Sequence, residues 1–461
     1  MKRVKTKRSE KESSSDQGKA YAEFLRKKKS VVSSSGFEIQ LDDINSNTFE
    51  WQKHCIRWAC RRGRAGLFED TGLGKTLQQL EWCHQVVQHT QKPVLLCAPL
   101  AVKRQTIEEH QKFEIQTPIF DCKSMRDVGQ GINITNYERL HYFNPKCFSG
   151  LALDEASILK SFDGKYRNLL CKNFKKVKYK LACSATPSPN DHMELGNQAE
   201  FLNAMSRTEM LSTYFIHDSG DTSKWRLKGH AHQDFWHWMS SWALVIRKPS
   251  DLGYSNDGYD LPGLNIHVVT VPSDGDEAKT LTAQRRIRKL SVDSRIEKMK
   301  SIITDDEPWI VWCDLNDESE KGSLEVNAVE VTGSLPPNVK AARMRGFSKQ
   351  EFDRLITKPK IAGFGMNWQH CCKMVFLGLS HSFEAFYQAV RRCYRFGQTK
   401  PVDVYIIVTD KELAIVDNVM RKQNQLEEMC DAMVGYMIDR VRSEMFGVET
   451  NQVSYDPQYG F

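Results

Sequence analysis

Short apolar runs alternate with helical patterns along two stretches of the chain, which are separated by a segment rich in aromatic residues. The first stretch has apolar runs at residues 65–68, 94–98, 151–153 and 179–183. The second has them at residues 309–313, 326–331, 361–362, 374–377 and 402–408. Buried strands that alternate with helices are typical of parallel sheets covered by helices. The pattern therefore predicts an α/β fold with two parallel sheets.

The remaining segments set the predicted domain boundaries. An aromatic-rich insertion holds four of the chain's ten tryptophans and ends in a polar, glycine- and proline-marked linker. After Thr409, apolar residues recur every three to four positions from Leu426 to Met445, which predicts a long amphipathic helix. We predict a basic disordered tail (1–36), a first α/β domain (37–205), the insertion and linker (206–265), a second α/β domain (266–410), and a C-terminal helix and tail (411–461).

Composition narrows the class of protein. The chain has 461 residues, of which 40% are hydrophobic, enough for two or three packed domains. It has no uncharged apolar run of membrane-spanning length and no apolar segment near its N-terminus, so we expect a cytoplasmic protein. Residues 1–30 hold 11 Lys/Arg and 4 Asp/Glu, whereas the rest of the chain holds 54 of each. Such a basic tail either contacts phosphates or is simply solvated, and we favour the second interpretation.

A glycine-rich block, Thr71-Gly-Leu-Gly-Lys-Thr76, follows the first apolar run and precedes a helical pattern. In such loops the backbone N–H groups and the lysine cradle the phosphates of a nucleotide, and the hydroxyl reaches Mg²⁺. Glu69 stands where the usual pattern has its first glycine, so the loop is a variant. We predict nucleotide-binding residues Thr71, Gly72, Leu73, Gly74, Lys75 and Thr76, with Lys75 on the β- and γ-phosphates and Thr76 on the metal.

An acidic pair and an arginine block complete the predicted chemistry. Asp154 and Glu155 follow the apolar run 151–153, where we expect Asp154 to hold Mg²⁺ and Glu155 to activate the attacking water. Arg392 and Arg395 would share one face of a helix that begins near Ser382. Such arginines can supply the transition-state charge of phosphoryl transfer. The sequence therefore predicts ATP hydrolysis with Lys75, Glu155, Arg392 and Arg395 as catalytic residues.

In this order, these blocks resemble the superfamily-two helicases and, within them, the Swi/Snf-type translocases, particularly the compact forms of bacteria and bacteriophages. The resemblance covers roughly residues 37–446. It implies two RecA-like P-loop domains with ATP and Mg²⁺ between them, in the cytoplasm of a bacterial or phage-infected cell. It also implies movement along nucleic acid, foremost double-stranded DNA, without obligatory strand separation.

The resemblance assigns further roles residue by residue. Gln52, directly after Trp51, matches the glutamine that reads adenine, and Gln388 opens the family's final block, in which Arg392 and Arg395 are arginine fingers. Other matching positions are implied to couple the domains or to contact nucleic acid: Pro99, Ser184, Thr186, Gly363, Gly365 and Asn367. We interpret the insertion's tryptophans as packing on the first domain rather than as platforms for stacking bases.

The sequence departs from the family pattern at several positions. Arg391 stands where the family usually has glycine or aspartate, and Tyr394 stands where the Swi/Snf group usually has histidine. The acidic block reads Asp-Glu-Ala-Ser rather than the commoner Asp-Glu-Ala-His. Two alternatives stay open: an RNA helicase or remodeller, because the ATP chemistry is the same, and a nucleotide-switched module that recruits other proteins.

Overall fold

The computed structural model describes residues 32–217, 225–273, 281–362 and 366–446. Most of the predicted basic tail, residues 1–31, lies outside this part. Residues 32–36 lie against the first domain, where the Ser35 and Gly36 amides donate to the carbonyls of Arg62 and Arg61. Within the described ranges, no helix combines the length and the apolar character needed to cross a membrane.

The first domain is built on a seven-stranded parallel sheet with the strand order β3-β4-β2-β5-β6-β1-β9. The strands up to β9 are β1 (Arg64–Glu69), β2 (Val94–Ala98), β3 (Ile119–Asp121), β4 (Ile132–Asn136), β5 (Gly150–Leu153), β6 (Tyr179–Cys183), the antiparallel pair β7 (Phe215–His217) and β8 (Trp225–Leu227), and β9 (Ala243–Ile246). The helices are α1 (Glu50–Arg62), α2 (Lys75–Thr90), α3 (Leu100–Lys112), α4 (Lys165–Asn173), α5 (Leu195–Phe201), α6 (Arg207–Tyr214) and α7 (His232–Met239). Because the strands are parallel, their carboxyl ends share one edge.

The second domain has a six-stranded parallel sheet with the order β10-β15-β14-β11-β13-β12. Its strands are β10 (Leu264–Val271), β11 (Trp309–Trp312), β12 (Val329–Val331), β13 (Arg354–Thr357), β14 (Lys373–Leu377) and β15 (Val402–Thr409). Its helices are α8 (Leu281–Leu290), α9 (Val292–Ile302), α10 (Asn316–Glu325), α11 (Pro337–Ser348), α12 (Pro359–Ala362), α13 (Phe383–Val390) and α14 (Leu413–Phe446). The predicted pair of parallel sheets is confirmed.

The aromatic insertion packs into the first domain. Trp236, Trp238 and Trp242 are buried, and the Trp242 ring meets the Phe68 ring edge-on with centroids 6.1 Å apart. The strand β9 that follows pairs with β1 at the edge of the first sheet. The insertion therefore extends the first core, and its three buried indoles are not available to stack bases.

The long helix α14 confirms the predicted C-terminal helix and contacts both domains. It begins after β15 of the second sheet. Further along, Asp431 forms an ion pair with Arg247 of the first domain at 2.7 Å, and the Ser188 hydroxyl lies 3.4 Å from the Met429 sulfur. The helix thus spans the boundary between the two domains.

Two local predictions were wrong. Residues 361–362 belong to the short helix α12 rather than to a strand, because Pro359 cannot donate a ladder hydrogen bond and suits the first turn of a helix. The arginine block is not helical either, since α13 ends at Val390. There the Arg392 Nε donates to the Gln388 carbonyl at 2.9 Å. A side chain, rather than a further backbone amide, therefore satisfies this carbonyl at the end of α13.

Candidate active site

One cleft between the two sheets collects all four of the predicted catalytic residues. Its volume is ≈ 130 Å³. The first domain contributes the loop between β1 and α2, the acidic pair after β5 and one face of α3, and the second domain contributes two arginines. The lining residues are Thr71, Gly72, Gly74, Lys75, Thr76, Val102, Gln105, Glu109, Asp154, Glu155, Arg392 and Arg395.

The glycine loop takes a shape that side chains would prevent. Gly72 and Gly74 have φ angles of 88° and 79°, in the left-handed region that favours glycine. A Cβ atom at Gly74 would lie 2.4 Å from the Gln52 Nε2 atom. Within the described residues no side chain caps the N-terminus of α2, and its first turn has no acidic residue. The amide groups at this helix end can therefore bind an anion.

The loop is braced from below by its own lysine and by Gln52. The Lys75 ammonium donates to the backbone carbonyls of Glu69 and Asp70 at 2.7 and 2.8 Å. The buried Gln52 amide donates to the Leu73 carbonyl at 2.8 Å and accepts from the Phe49 amide at 2.9 Å. Gln52 thus lies directly against the phosphate loop, whereas its adenine-reading role stays a prediction.

The acidic pair lies where β5 ends. Asp154 accepts a hydrogen bond of 2.9 Å from the Gln79 amide, and its backbone carbonyl accepts one from the Tyr137 hydroxyl. Glu155 has a φ of 52°, a strained value for a non-glycine residue. Its Oε2 atom is buried with no hydrogen-bond partner among the described residues. The turn therefore aims a carboxylate into the cleft with one oxygen left for a ligand.

Burial raises the pKa of both carboxyls. For Glu155, desolvation is the largest cause, and the neighbouring Asp154 charge adds to it, whereas Lys75 opposes it. For Asp154, desolvation again raises the pKa, and the hydrogen bond from Gln79 works against it. A carboxylate with a raised pKa is a stronger base, which suits Glu155 for accepting a proton from water.

The two arginines reach the cleft from the turn after α13. Arg392 donates to the Gln388 side-chain oxygen and to the Met366 carbonyl, both at 3.0 Å. Arg395 donates to the same Met366 carbonyl at 3.3 Å, while its Nε atom is buried without a partner among the described residues. Burial lowers the pKa of Arg392 to about 10, so its cation is poorly solvated yet stays charged at neutral pH. A poorly solvated cation stabilises a nearby negative charge strongly.

Among the remaining predicted positions, those that the structure describes do not line the cleft. Ser184 and Thr186 are fully buried directly after β6, where the Thr186 amide donates to the Ser184 hydroxyl at 3.1 Å. Pro99 is half-buried at the start of α3, and Asn367 is exposed. Gly363 and Gly365 lie outside the described residues. Because both side chains are buried, they are not exposed for contact with nucleic acid, and their coupling role stays a prediction.

Sequence reasoning missed several residues at the site. Gln79 lies one helical turn after Lys75, so its i, i+4 spacing could have placed it on the same face of α2. No local pattern signals the hydrogen bond from the Tyr137 hydroxyl to the Asp154 carbonyl. Glu109 on α3 lines the cleft and lies near the Arg395 cation. Its carboxylate accepts a hydrogen bond of 2.8 Å from the Gln105 side-chain amide. Tyr137 and Glu109 belong to other segments of the chain than Asp154 and Arg395, so no local pattern reveals these two contacts.

Two parallel-sheet domains with a phosphate loop, an acidic pair and opposing arginines define a helicase-type ATPase core. Comparison with known families agrees: residues 51–215 match the SNF2-related domain, and residues 294–397 match the helicase conserved C-terminal domain. The chain belongs to the Swi/Snf-type group of the superfamily-two helicases, whose members couple ATP hydrolysis to nucleic acid. No curated protein matches the sequence significantly.

Among solved structures, the chain is similar to the Sulfolobus solfataricus SWI2/SNF2 ATPase core, which was solved in complex with dsDNA. The two are 19% identical in sequence, and the match covers 85% of this chain and 98% of that chain with a TM-score of 0.43.

Proposed function

We propose that the protein is an ATP-driven motor that moves along double-stranded DNA without obligatory strand separation. One observation carries the proposal: a single cleft is lined by the phosphate loop and acidic pair of one domain and by the arginines of the other. A site divided in this way completes itself only when the domains close. Each round of ATP binding and hydrolysis can therefore change the domain arrangement.

The residues at the cleft fit ATP and Mg²⁺. Thr76 and Asp154 line the same cleft and offer the oxygen ligands that Mg²⁺ prefers. The partnerless Glu155 oxygen and the uncapped end of α2 leave an acceptor and several donors for a ligand. When bound, Mg²⁺ would neutralise phosphate charge and stabilise the leaving group.

Each catalytic role follows from the position of the residue. Lys75 would exchange its two carbonyl partners for phosphate oxygens, because an ammonium binds charged oxygens more strongly. Glu155 would take the proton of the attacking water through its unpaired oxygen. Arg392 and Arg395 would stabilise the charge that develops on the transferred phosphoryl group.

The nucleic-acid part of the proposal rests on the SNF2-related match and on the family's motifs. The exposed Asn367, the start of α3 at Pro99 and the glycines Gly363 and Gly365 are the proposed contact positions, and Ser184 and Thr186 are the proposed coupling positions. The protein would act in the cytoplasm of a bacterial or phage-infected cell, where the DNA is not enclosed in a nucleus.

The proposal is tested by the steady-state ATPase rate with no nucleic acid, duplex DNA, single-stranded DNA or structured RNA at one fixed low salt concentration. We expect strong stimulation by duplex DNA, lost in the Lys75→Ala variant. Stimulation by RNA alone would replace the proposal with an RNA helicase or remodeller. Slow turnover that responds to no nucleic acid would replace it with a nucleotide-switched recruitment module.

A further inference from the structure

The second domain touches the phosphate loop through a residue outside the catalytic set. The Arg391 guanidinium forms an ion pair of 2.6 Å with the Asp70 carboxylate, which follows β1 and precedes the loop. The two side chains are only 16% and 13% exposed. The pair therefore joins the domains in a poorly solvated place, where an ion pair is screened less than on the surface.

Two tyrosines hold Arg391 in position. Its guanidinium lies 5.1 Å from the centres of both the Tyr387 and the Tyr394 rings. The Tyr387 hydroxyl also donates to Asp70, so the carboxylate has two partners from the second domain. Arg391 and Tyr394 are the two arginine-block positions at which this sequence departs from its family. Both departures therefore belong to one cluster, in which Arg391 contacts the Tyr394 ring and pairs with Asp70.

Asp70 also forms hydrogen bonds with two residues of the phosphate loop. Its carboxylate accepts from the Thr71 amide at 2.6 Å, and its backbone carbonyl accepts from the Lys75 ammonium at 2.8 Å. Gly72 of the same loop also lies close to the second domain, since a Cβ atom at this position would lie 2.9 Å from the Phe396 backbone nitrogen. The position of Asp70 thus depends on the second domain, and the positions of Thr71 and Lys75 depend on Asp70.

We propose that Arg391 is a positioning residue that docks the second domain on Asp70 and thereby holds the phosphate loop in its working shape when the cleft closes. The proposal rests on the proposed ATPase function and names a residue that acts through another, not on substrate. It predicts that Arg391 and Asp70 contribute to turnover as a unit and that neither contributes much to nucleotide affinity.

A double-mutant cycle tests this unit. We expect Arg391→Gln and Asp70→Asn each to lower kcat for ATP roughly tenfold, and the double variant to lower it no further, as for residues in direct contact. The dissociation constant of a fluorescent ADP analogue should change less than about threefold. Multiplied losses in the double variant, or an unchanged kcat in both single variants, would overturn the proposal.

Cleft closure provides a second readout. Cys147 is the exposed cysteine in the first domain, the other twelve being buried, and Leu324 on α10 of the second domain is 79% exposed. Dyes on Cys147 and on a Leu324→Cys substitution report the distance between the domains by energy transfer. We expect Arg391→Gln to reduce the transfer efficiency and Arg391→Lys to restore part of it. A loss of kcat with unchanged transfer would contradict a docking role.

A matched control separates this contact from domain contacts in general. Asp431→Asn removes the ion pair with Arg247, which also joins the domains but lies at the surface, so it should leave kcat and energy transfer unchanged. The energy-transfer measurement needs no DNA. If wild-type protein shows no DNA stimulation but Arg391→Gln still opens the cleft, the proposed function fails while the docking role stands.

Discussion

Each domain has a turn that leads from a strand into a helix, and the two turns differ in whether a side chain accepts from the backbone amides near the helix start. After β1, the loop leads into α2 with glycines and no capping side chain. After β11, the turn leads into α10, and the buried Glu318 carboxylate accepts from the amides of Asp314 and Leu315 at 2.9 Å each. The first turn presents its donors to the cleft, whereas the second has satisfied its donors within the chain.

The comparison gives a physical reason for assigning the proposed nucleotide site to the first domain. The N-terminus of a helix attracts negative charge, which either a ligand or the protein's own carboxylate can supply. Glu318 supplies it in the second domain, and Arg288 holds the adjacent Asp314 at 2.8 Å. The second domain instead contributes Arg392 and Arg395 to the cleft that the phosphate loop of the first domain lines.

The largest expected effect is the loss of turnover when one of those arginines is replaced. Arg392→Ala should lower kcat about 10³-fold with little loss of ATP affinity, because arginine fingers act mainly on the transition state. Single-turnover hydrolysis and binding of a fluorescent ATP analogue measure the two quantities. Arg421→Ala, on the exposed face of α14, is the control and should change neither. Lost binding with retained turnover would show that the second domain helps to bind the nucleotide instead.

The next effect separates binding from chemistry within the first domain. Glu155→Gln should lower hydrolysis by about 10²-fold or more while ATP still binds, since an amide cannot accept the water proton. The same two assays apply, with Glu108→Gln on the exposed side of α3 as the control. Vigorous hydrolysis by Glu155→Gln would show that another group is the base.

A smaller effect is expected on stability at the second turn. Glu318→Ala leaves two half-buried amides without their acceptor and should lower the free energy of unfolding by about 1–3 kcal/mol. Urea denaturation measures it, and Glu320→Ala, exposed on the same helix, is the control. Because the turn is not part of the site, kcat per folded molecule should stay unchanged. A stable variant would mean that the carboxylate does not cap α10.

The smallest effect concerns Glu69, which is buried under the phosphate loop and accepts 2.7 Å from Gln78. Burial raises the pKa of Glu69 to about 7, against 4.5 for a glutamate in the unfolded chain. The folded chain therefore binds this proton more tightly than the unfolded chain, so the contribution of Glu69 to stability falls as the pH rises from about 4.5 to about 7. Glu69→Gln should remove this loss.

Urea denaturation at pH 5 and pH 8 measures this effect. We expect the free energy of unfolding of Glu69→Gln, relative to that of the wild type, to be higher at pH 8 than at pH 5 by on the order of 1 kcal/mol. Equal differences at the two pH values would show that Glu69 titrates in the folded protein as it does in the unfolded chain.

The sequence predicted the parts of the fold that rest on continuous apolar runs. β2 and β14 are such runs, and the two sheets followed from them. β13 was missed because Arg354 and Thr357 leave only two apolar residues at its centre. The spacing of the arginine block predicts a helix, whereas the side-chain cap by Arg392 is a tertiary contact that spacing does not show.

The same limit applies to the site. The phosphate loop and the acidic pair are local motifs, so their residues could be named from the chain alone. The contact of Arg391 with Asp70 joins residues 321 positions apart in two domains, and it appears in sequence only as an unexplained departure from a family pattern. Glu318 likewise looks like an ordinary surface residue of a helix until its burial is known.

The most direct test of the motor account is displacement of a third DNA strand from a triplex that blocks one end of a duplex. Wild-type protein with ATP should release the third strand, and Glu155→Gln should release none although it binds ATP. Wild-type protein that hydrolyses ATP on this duplex at full rate and leaves the triplex intact would contradict movement along DNA.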